Sequence, residues 1–333
     1  MKSSLLRWLL LGALAALSLG LVQTNVSLGQ EALLLQSAEV EGALPVTDPD
    51  SPLWAEATQV AVPLSGQTVT LPSRSTPFAS TVQIGALHNG THIVFRVAWS
   101  DGTKDNRTTG LSEFRDAAAL LLASSDLPGI CMGSRGQRVH IVQWKADWQA
   151  DIEEGFHDLQ DTFPNFWVDH YPFAVGGPPY QLPEAFPEGA RDLLVGWAVG
   201  NPFSEPLKVT AVEDAIAEGF GSITTQERQD ALGRGVWANG RWSVTIARPL
   251  ETGDSQDQSM GRGGQYNIAL AVWDGSSGDV GARKSVSSWI TLDIPGPPPF
   301  AALEIWVPVI LIVLVAVAAL LLIRSARRRK ERD

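Results

Sequence analysis

Short segments in which apolar and polar residues alternate recur through residues 30–294, and this alternation restricts the fold more than any other feature of the chain. In residues 92–99 every second position holds a large apolar residue, and residues 242–246 repeat the pattern. The turn-forming pairs Asn89-Gly90 and Asn239-Gly240 precede these two segments. Because a period of two places the apolar side chains on one face of a strand, the sequence predicts a mainly β chain folded as an antiparallel β-sandwich or barrel.

The same criteria predict further strands and two short helices. The additional strands are residues 117–122, 139–144, 193–199, 266–273 and 286–292. Helical patterns are confined to residues 147–159 and 212–218. The proline-rich segment 171–187 predicts a long surface loop that shapes a pocket or a partner contact.

The distribution of charge excludes nucleic acid as a partner. The net charge is −11, but residues 1–29 carry two basic and no acidic residues, and residues 324–333 carry six basic and two acidic residues. The segment between them therefore has a net charge of −17, whereas phosphate binding requires a basic face. The single cysteine, Cys131, excludes an intramolecular disulfide, a four-cysteine zinc site, an iron–sulfur cluster held by this chain alone and covalent c-type haem.

Both ends of the chain predict contact with a membrane. Lys2 and Arg7 precede a short apolar run from Trp8 to Val22, and this pattern describes a secretory signal peptide over residues 1–29; an uncleaved anchor is the alternative. Residues 295–304 form a proline-rich spacer, and residues 305–323 contain no charged residue, which predicts a transmembrane helix.

The basic tail, residues 324–333, fixes the expected topology. By the positive-inside rule this tail remains cytoplasmic, so the acidic domain of residues 30–294 lies on the outer side of the cell membrane, in the periplasm or outside the cell.

Motifs for catalysis are absent from the sequence. The five histidines form no H-E-x-x-H pattern, and there is no P-loop, G-x-G-x-x-G or G-x-S-x-G motif. Since catalytic residues converge in space rather than in sequence, a hydrolase without a recognisable motif remains a third hypothesis for the function.

A series of short motifs in a fixed order is similar to one known family. They are Trp99-Ser100-Asp101, Asp116-Ala117-Ala118-Ala119-Leu120, Met132-Gly133, Trp144-Lys145-Ala146-Asp147-Trp148, Gly200-Asn201-Pro202, Gly219-Phe220-Gly221, Gly235-Val236-Trp237, Trp242, Arg248-Pro249-Leu250, Val272-Trp273-Asp274-Gly275 and Lys284-Ser285-Val286-Ser287-Ser288-Trp289. The chain thereby resembles the haem-binding gamma subunits of periplasmic molybdenum enzymes of the dimethyl sulfoxide reductase family. These enzymes include ethylbenzene and dimethyl sulfide dehydrogenases, selenate, chlorate and some nitrate reductases, and nitrite oxidoreductases.

The resemblance implies a fold, a cofactor and two ligands. In this family a β-sandwich similar to carbohydrate-binding modules holds haem b without covalent attachment, between a methionine sulfur and a lysine amine. By motif the iron ligands here are Met132 and Lys284. The rival ligands are Lys145, His140 and His157. Without the resemblance, Met132 reads as a core residue and Lys284 as a surface lysine paired with Asp274 or Asp279.

The resemblance also implies partners and an electron-transfer role without a catalytic site on this chain. The partners are the iron–sulfur beta subunit and the molybdopterin alpha subunit of a molybdenum oxidoreductase, and a quinol or cytochrome of the respiratory chain. Soluble family members lack a membrane span, so the predicted helix of residues 305–323 favours a membrane partner here.

A binding module of another class is the alternative hypothesis. In that case the chain is a membrane-tethered carbohydrate-binding or sensory ectodomain without haem. Exposed members of its twelve tryptophans would stack on sugars.

Overall fold

The computed structural model describes residues 33–123, 132–163, 165–166, 173–177, 180–297 and 301–330. In the last of these ranges it describes the side chains of residues 307–321, 323 and 324 only. The predicted signal peptide, Cys131, His170 and part of the predicted loop at residues 171–187 lie outside the described residues. The signal peptide therefore stays a prediction.

Strands dominate the described chain. In chain order they are β1 (Leu34–Gln36), β2 (Ala38–Glu39), β3 (Val60–Pro63), β4 (Ser65–Gly66), β5 (Thr81–His88), β6 (His92–Ser100), β7 (Ala117–Ala123), β8 (Val139–Lys145), β9 (Val212–Ala217), β10 (Thr224–Thr225), β11 (Leu232–Ala238), β12 (Arg241–Pro249), β13 (Gly264–Trp273), β14 (Ser285–Val286) and β15 (Ile290–Ile294). The helices are α1 (Ala146–Glu154), α2 (Leu159–Thr162), α3 (Ala190–Leu193), α4 (Val195–Ala198) and α5 (Ala301–Lys330), with 3-10 turns at Pro52–Ala55, Pro202–Ser204 and Gly275–Ser277.

The strands of the described residues form two sheets. The first sheet has the order β1-β15-β13-β7-β8-β9-β10, with β14 beside β13 and β4 beside β14. The second has the order β11-β12-β6-β5-β2, with β3 beside β5. All pairs are antiparallel except β1 with β15 and β2 with β5. The predicted mainly β, sandwich-like fold is confirmed.

One hydrophobic core lies between the inner faces of the sheets. The apolar residues predicted on one face of β6, from Ile93 to Trp99, are all buried in it. Trp99, Trp144 and Trp242 pack edge to face or tilted, with ring centroids 4.9 to 6.5 Å apart. Each indole donates a hydrogen bond to a polar side chain beside the core, so these large residues are buried without an unpaired donor.

Two predicted elements are wrong. Residues 193–199 form parts of the single-turn helices α3 and α4 rather than a strand, because no strand pairs with them and local hydrogen bonds close the turns. Residues 212–218 form strand β9 rather than a helix, since β8 and β10 pair with its two edges. The long-range pairing outweighs the local pattern.

Two further predictions hold in part. The helix predicted over residues 147–159 begins at Ala146 and ends at Glu154, and α2 follows after a break. The strand predicted over residues 286–292 is divided between β14 and β15.

The predicted transmembrane segment, residues 305–323, lies within α5. Among the residues that the structure describes, we find no helix with the length and apolar character needed to cross a membrane. The span therefore stays a prediction.

Candidate functional site

The outer face of the first sheet carries small side chains. Because side chains alternate along a strand, Ala118, Leu120 and Leu122 of β7 face the core, while the intervening residues face outward. Four outward residues of β7 and of its neighbour β13 are alanines that line one cavity, and we call this set the alanine floor: Ala117, Ala119, Ala269 and Ala271. Leu121, Ile141 and Trp273 lie on the same face. Strand pairing aligns them in rows, with Ala119 opposite Ala271 and Ala117 opposite Trp273.

A cavity of about 1240 Å³ lies against this floor. Its volume exceeds the roughly 300–1,000 Å³ of ordinary small-molecule pockets. Loop residues 65–72, residues 279–284 and the aromatic side chains of Phe114, Phe203 and Phe220 form its other sides. The cavity therefore suits a large, flat and mainly apolar ligand.

Met132 enters the cavity from the segment before β8. Its backbone adopts a positive φ of 70°, which is rare for a residue with a side chain. Its carbonyl accepts a hydrogen bond of 2.7 Å from the Gly219 amide. Next to it, a side chain at Gly133 would lie 2.6 Å from the Gln137 carbonyl oxygen, so a glycine is required there. The half-buried Met132 side chain packs against the alanine floor.

Lys284 reaches the same cavity from the opposite side, immediately before β14. Its Nζ lies 3.9 Å from the Sδ of Met132 and 4.8 Å from the centroid of the Trp273 ring. The structure thus brings together the two residues that the sequence predicts as ligands. They lie on different loops, one before β8 and the other before β14, and β13 and β7 separate these two strands in the sheet.

Gln67 holds the segment that carries Lys284. Its side-chain oxygen accepts hydrogen bonds from the Val69 and Thr70 amides at 2.6 and 2.9 Å, and its Nε2 donates to the Ala282 carbonyl at 2.8 Å. Its own amide donates to the Lys284 carbonyl at 3.0 Å. Sequence reasoning missed this residue, because a lone glutamine in a loop carries no recognisable signal.

Asp279 ties the same segment to the rest of the domain. It is buried and pairs with Arg74 at 2.5 Å and Arg283 at 3.3 Å. Burial raises the pKa of the Asp279 carboxyl, and the hydrogen bond from Arg74 opposes that effect. Asp274 accepts hydrogen bonds from the hydroxyls of Ser276 and Ser277. Asp279 thus joins residues 279–284 to Arg74, and Asp274 stabilises the turn at Gly275–Ser277.

Lys145, the main rival ligand, occupies a different part of the cavity wall. Its side chain is 1% exposed and pairs with Glu213. Its Nζ also lies 4.0 Å from the Trp148 ring centroid and 5.1 Å from that of Phe203. Burial lowers the pKa of Lys145 to about 8, although the Glu213 charge acts in the opposite direction.

The rival histidines lie outside this cavity. His140 is buried with its Nε2 3.1 Å from Asp214 and 3.4 Å from Asp257, and it lines a separate cavity of about 290 Å³. The Nδ1 of His157 lies 3.3 Å from Asp151. Neither is among the residues that line the large cavity.

The motif that begins at Asp116 has a structural role. Its carboxylate accepts hydrogen bonds from the Trp242 indole at 2.9 Å, the Gly275 amide at 2.9 Å and the Asp105 amide at 2.8 Å. Burial raises the pKa of Asp116 to about 7, and the nearby Asp101 charge adds to that effect. This residue therefore fixes the core to two loops at one end of the sheets.

Tryptophan burial bears on the carbohydrate-binding hypothesis. None of the tryptophans in the described part of the chain is exposed: Trp54, Trp99, Trp144, Trp148, Trp242 and Trp273 are buried, and Trp197, Trp237 and Trp289 are partly buried. The exposed tryptophans that this hypothesis requires are therefore not found among the described residues.

Comparison with known proteins identifies the family of the chain and a relative. The family model described as ethylbenzene dehydrogenase matches residues 51–285. A proposed respiratory nitrate reductase haem subunit of Haloferax mediterranei is 23% identical over 302 residues, which cover 87% of each chain.

Two solved structures overlap with this fold. A family 9 carbohydrate-binding module of Caldicellulosiruptor kristjanssonii has a TM-score of 0.39 at 8% identity, covering 80% of this chain and 96% of that one. A protein of Bacteroides uniformis to which carbohydrate binding is attributed has a TM-score of 0.40 at 8% identity. The match covers 79% of this chain and 99% of that one. At this level of similarity their ligands have no bearing on the present chain.

Proposed function

The chain belongs to the ethylbenzene dehydrogenase family as a haem-binding gamma subunit, and from this premise we propose that it holds haem b between Met132 and Lys284. The observation that carries the proposal is the 3.9 Å distance between Lys284 Nζ and Met132 Sδ across the cavity. Both donor atoms would therefore be within reach of one iron atom held in this cavity.

The residues of the cavity suit a haem group. The alanine floor offers a flat apolar surface, and Phe114, Phe203, Phe220 and Trp273 supply aromatic contacts. The single cysteine provides no covalent attachment motif, which agrees with a haem held by contacts with the cavity alone.

Each proposed ligand has a definite chemical effect. Bound haem supplies reversible one-electron chemistry of iron. The Met132 thioether is a soft, neutral donor that favours the ferrous state and raises the reduction potential. Lys284 ligates only as a free amine, so binding displaces its proton. The segment held by Gln67 keeps this amine directed into the cavity.

We propose that the chain carries single electrons between an iron–sulfur beta subunit and a quinol or cytochrome of a respiratory chain. The beta subunit in turn contacts a molybdopterin alpha subunit that transforms the substrate. Support comes from the family and from the relative described as a nitrate reductase haem subunit. The chain's own part is to bind the haem, to orient it and to exclude water from it.

We further propose that residues 1–29 are a signal peptide and that residues 305–323 anchor the domain at the outer side of the membrane, with the basic tail in the cytoplasm. Support comes from the uncharged sequence and from the described side chains of α5, because those of Val307, Leu314 and Leu321 are all more than 45% exposed. Sodium carbonate extraction of membranes tests this anchor. We expect the full chain in the membrane pellet and a chain truncated before residue 301 in the supernatant.

A pyridine haemochrome assay tests the cofactor. The purified full chain should contain about one haem b per chain, extractable by acidified acetone because the attachment is not covalent. A folded chain that remains colourless after addition of haem would refute the proposed function and favour the ectodomain without haem.

A further inference from the structure

The ion pair between Lys145 and Glu213 lies in the wall of the large cavity, and the proposed function does not use it. Both side chains line the cavity and are almost fully buried, at 1% and 6% exposure. A buried ion pair costs desolvation energy that its mutual attraction offsets only in part, so such a pair is weak support for stability. Because the pair lies beside the proposed haem site, we consider a role for it in electron transfer by the haem.

The surroundings of the pair contain few other charges. Arg115 precedes β7 and pairs at 2.7 Å with Asp147 of α1, and these two charges act on Lys145 in opposite directions. On the β9 side, Thr225 donates a hydrogen bond of 2.5 Å to Glu213. Among the described residues, the amine also contacts the aromatic rings of Trp148 and Phe203. The protonation of Lys145 therefore depends mainly on burial and on Glu213.

Burial lowers the pKa of Lys145 towards neutral pH. The apolar surroundings lower the pKa of this amine to about 8, whereas lysine in water has a pKa of about 10.4. Near neutral pH, a modest change in the local electric field is therefore enough to change its proton occupancy.

Strand pairing places the pair close to the proposed iron site. Lys145 lies opposite Ala117, which lies opposite Trp273, the residue whose ring contacts Lys284 Nζ. Two strand spacings, about 10 Å, separate the backbone of Lys145 from that of Trp273. For two charges about 10 Å apart at an effective dielectric constant of about 20, one added negative charge raises proton affinity on the order of tenfold.

We propose that the Lys145–Glu213 pair is a proton-binding site coupled to the electron that the haem carries, an inference that rests on the proposed function. One electron from a donor of the iron–sulfur class would make a haem bound at this site one charge unit more negative. One proton from solvent then binds the free amine of Lys145, which becomes an ammonium paired with Glu213. No other bond forms or breaks, and oxidation reverses both transfers.

Potentiometric titration of the haem-loaded full chain from pH 6 to 10 tests the proposal. The midpoint potential should be nearly constant below about pH 8, fall by about 59 mV in total for a tenfold difference in proton affinity between the oxidised and reduced states, and level off above about pH 9. Glu213→Gln removes the charge that favours protonated Lys145, so the decline should begin at lower pH.

Three variants isolate the proton site. Lys145→Met removes the titrating amine, and Lys145→Arg retains the positive charge but does not titrate, because arginine stays protonated. Both should make the potential independent of pH above 8. Lys104→Met, which removes an exposed lysine near Glu154, should behave as the wild type. If Lys145→Met does not fold, Lys145→Arg provides the same test.

The outcomes separate the two claims. A wild-type potential that is flat to pH 10, or a slope unchanged in both Lys145 variants, overturns proton coupling while leaving haem binding intact. Failure of every variant and of the wild type to bind haem overturns the proposed function together with this inference.

A second experiment uses the haem-free chain. Nuclear magnetic resonance of labelled lysine side chains should show one amine that titrates near pH 8 and is absent from Lys145→Met. If no such resonance exists, the inference fails.

Discussion

The side-chain nitrogen of Lys284 lies 3.9 Å from the sulfur of Met132, although 152 positions separate the two residues in the chain. The segment before β8 positions one residue and the segment before β14 the other, and both face a cavity lined on one side by alanines. A thioether and an amine that face each other across an apolar cavity form a suitable donor pair for haem iron.

Replacement of the methionine should change iron ligation selectively. We expect Met132→Leu to bind haem but to lose the low-spin absorption bands, because leucine fills similar volume and offers no donor. Met260→Leu is the matched control, since Met260 is buried in the core away from the cavity. A reduced-minus-oxidised spectrum of each variant checks this, and an unchanged spectrum in Met132→Leu would exclude Met132 as a ligand.

Replacement of the two cavity lysines should give different results. Lys284→Met should abolish the wild-type low-spin spectrum, whereas Lys145→Met should retain it, because the Lys145 amine pairs with Glu213. The same absorption spectra at pH 7 provide the measurement. The reverse pattern would show that Lys145 is the ligand.

The alanine floor should be sensitive to side-chain size. Ala119→Leu places three extra carbon atoms where the flat ligand would lie, and we expect haem affinity to fall at least about tenfold, equivalent to about 1.4 kcal/mol. Haem titration of the haem-free protein measures this affinity. Ala238→Leu, at an exposed position at the end of β11, should bind haem as the wild type does. Equal affinity in both variants would place the haem elsewhere.

The sequence predicted strands whose residues alternate between apolar and polar. It did not predict segments whose secondary structure depends on pairing with a distant strand. The apolar face of β6 was evident from its own residues, whereas β9 was mistaken for a helix because its pairing with β8 is not visible in sequence. Met132 and Lys284 were found through motif resemblance alone. Gln67 and the Lys145–Glu213 pair were missed as a site, because each depends on contacts between distant segments.

Because of Asp116, the free energy of unfolding should fall as the pH rises from about 4 to about 7. Its pKa is about 7 in the folded state and about 3.9 in an unfolded chain, so the folded state holds the proton more tightly. The contribution of this group is complete below about pH 4 and is lost as the pH rises towards 7. Denaturant unfolding of wild type and Asp116→Asn between pH 4 and 7.5 should show a steeper decline in the wild type. Parallel curves would contradict this assignment.

Isotope labelling of lysine shows whether a lysine nitrogen binds the iron. The oxidised full chain, produced with ¹⁵N-labelled lysine and loaded with haem, is studied by pulsed electron paramagnetic resonance for hyperfine coupling between the iron spin and the label. We expect strong coupling in the wild type and in Lys145→Met, and its loss in Lys284→Met. Absence of coupling in the wild type, or its persistence in Lys284→Met, would contradict ligation by Lys284.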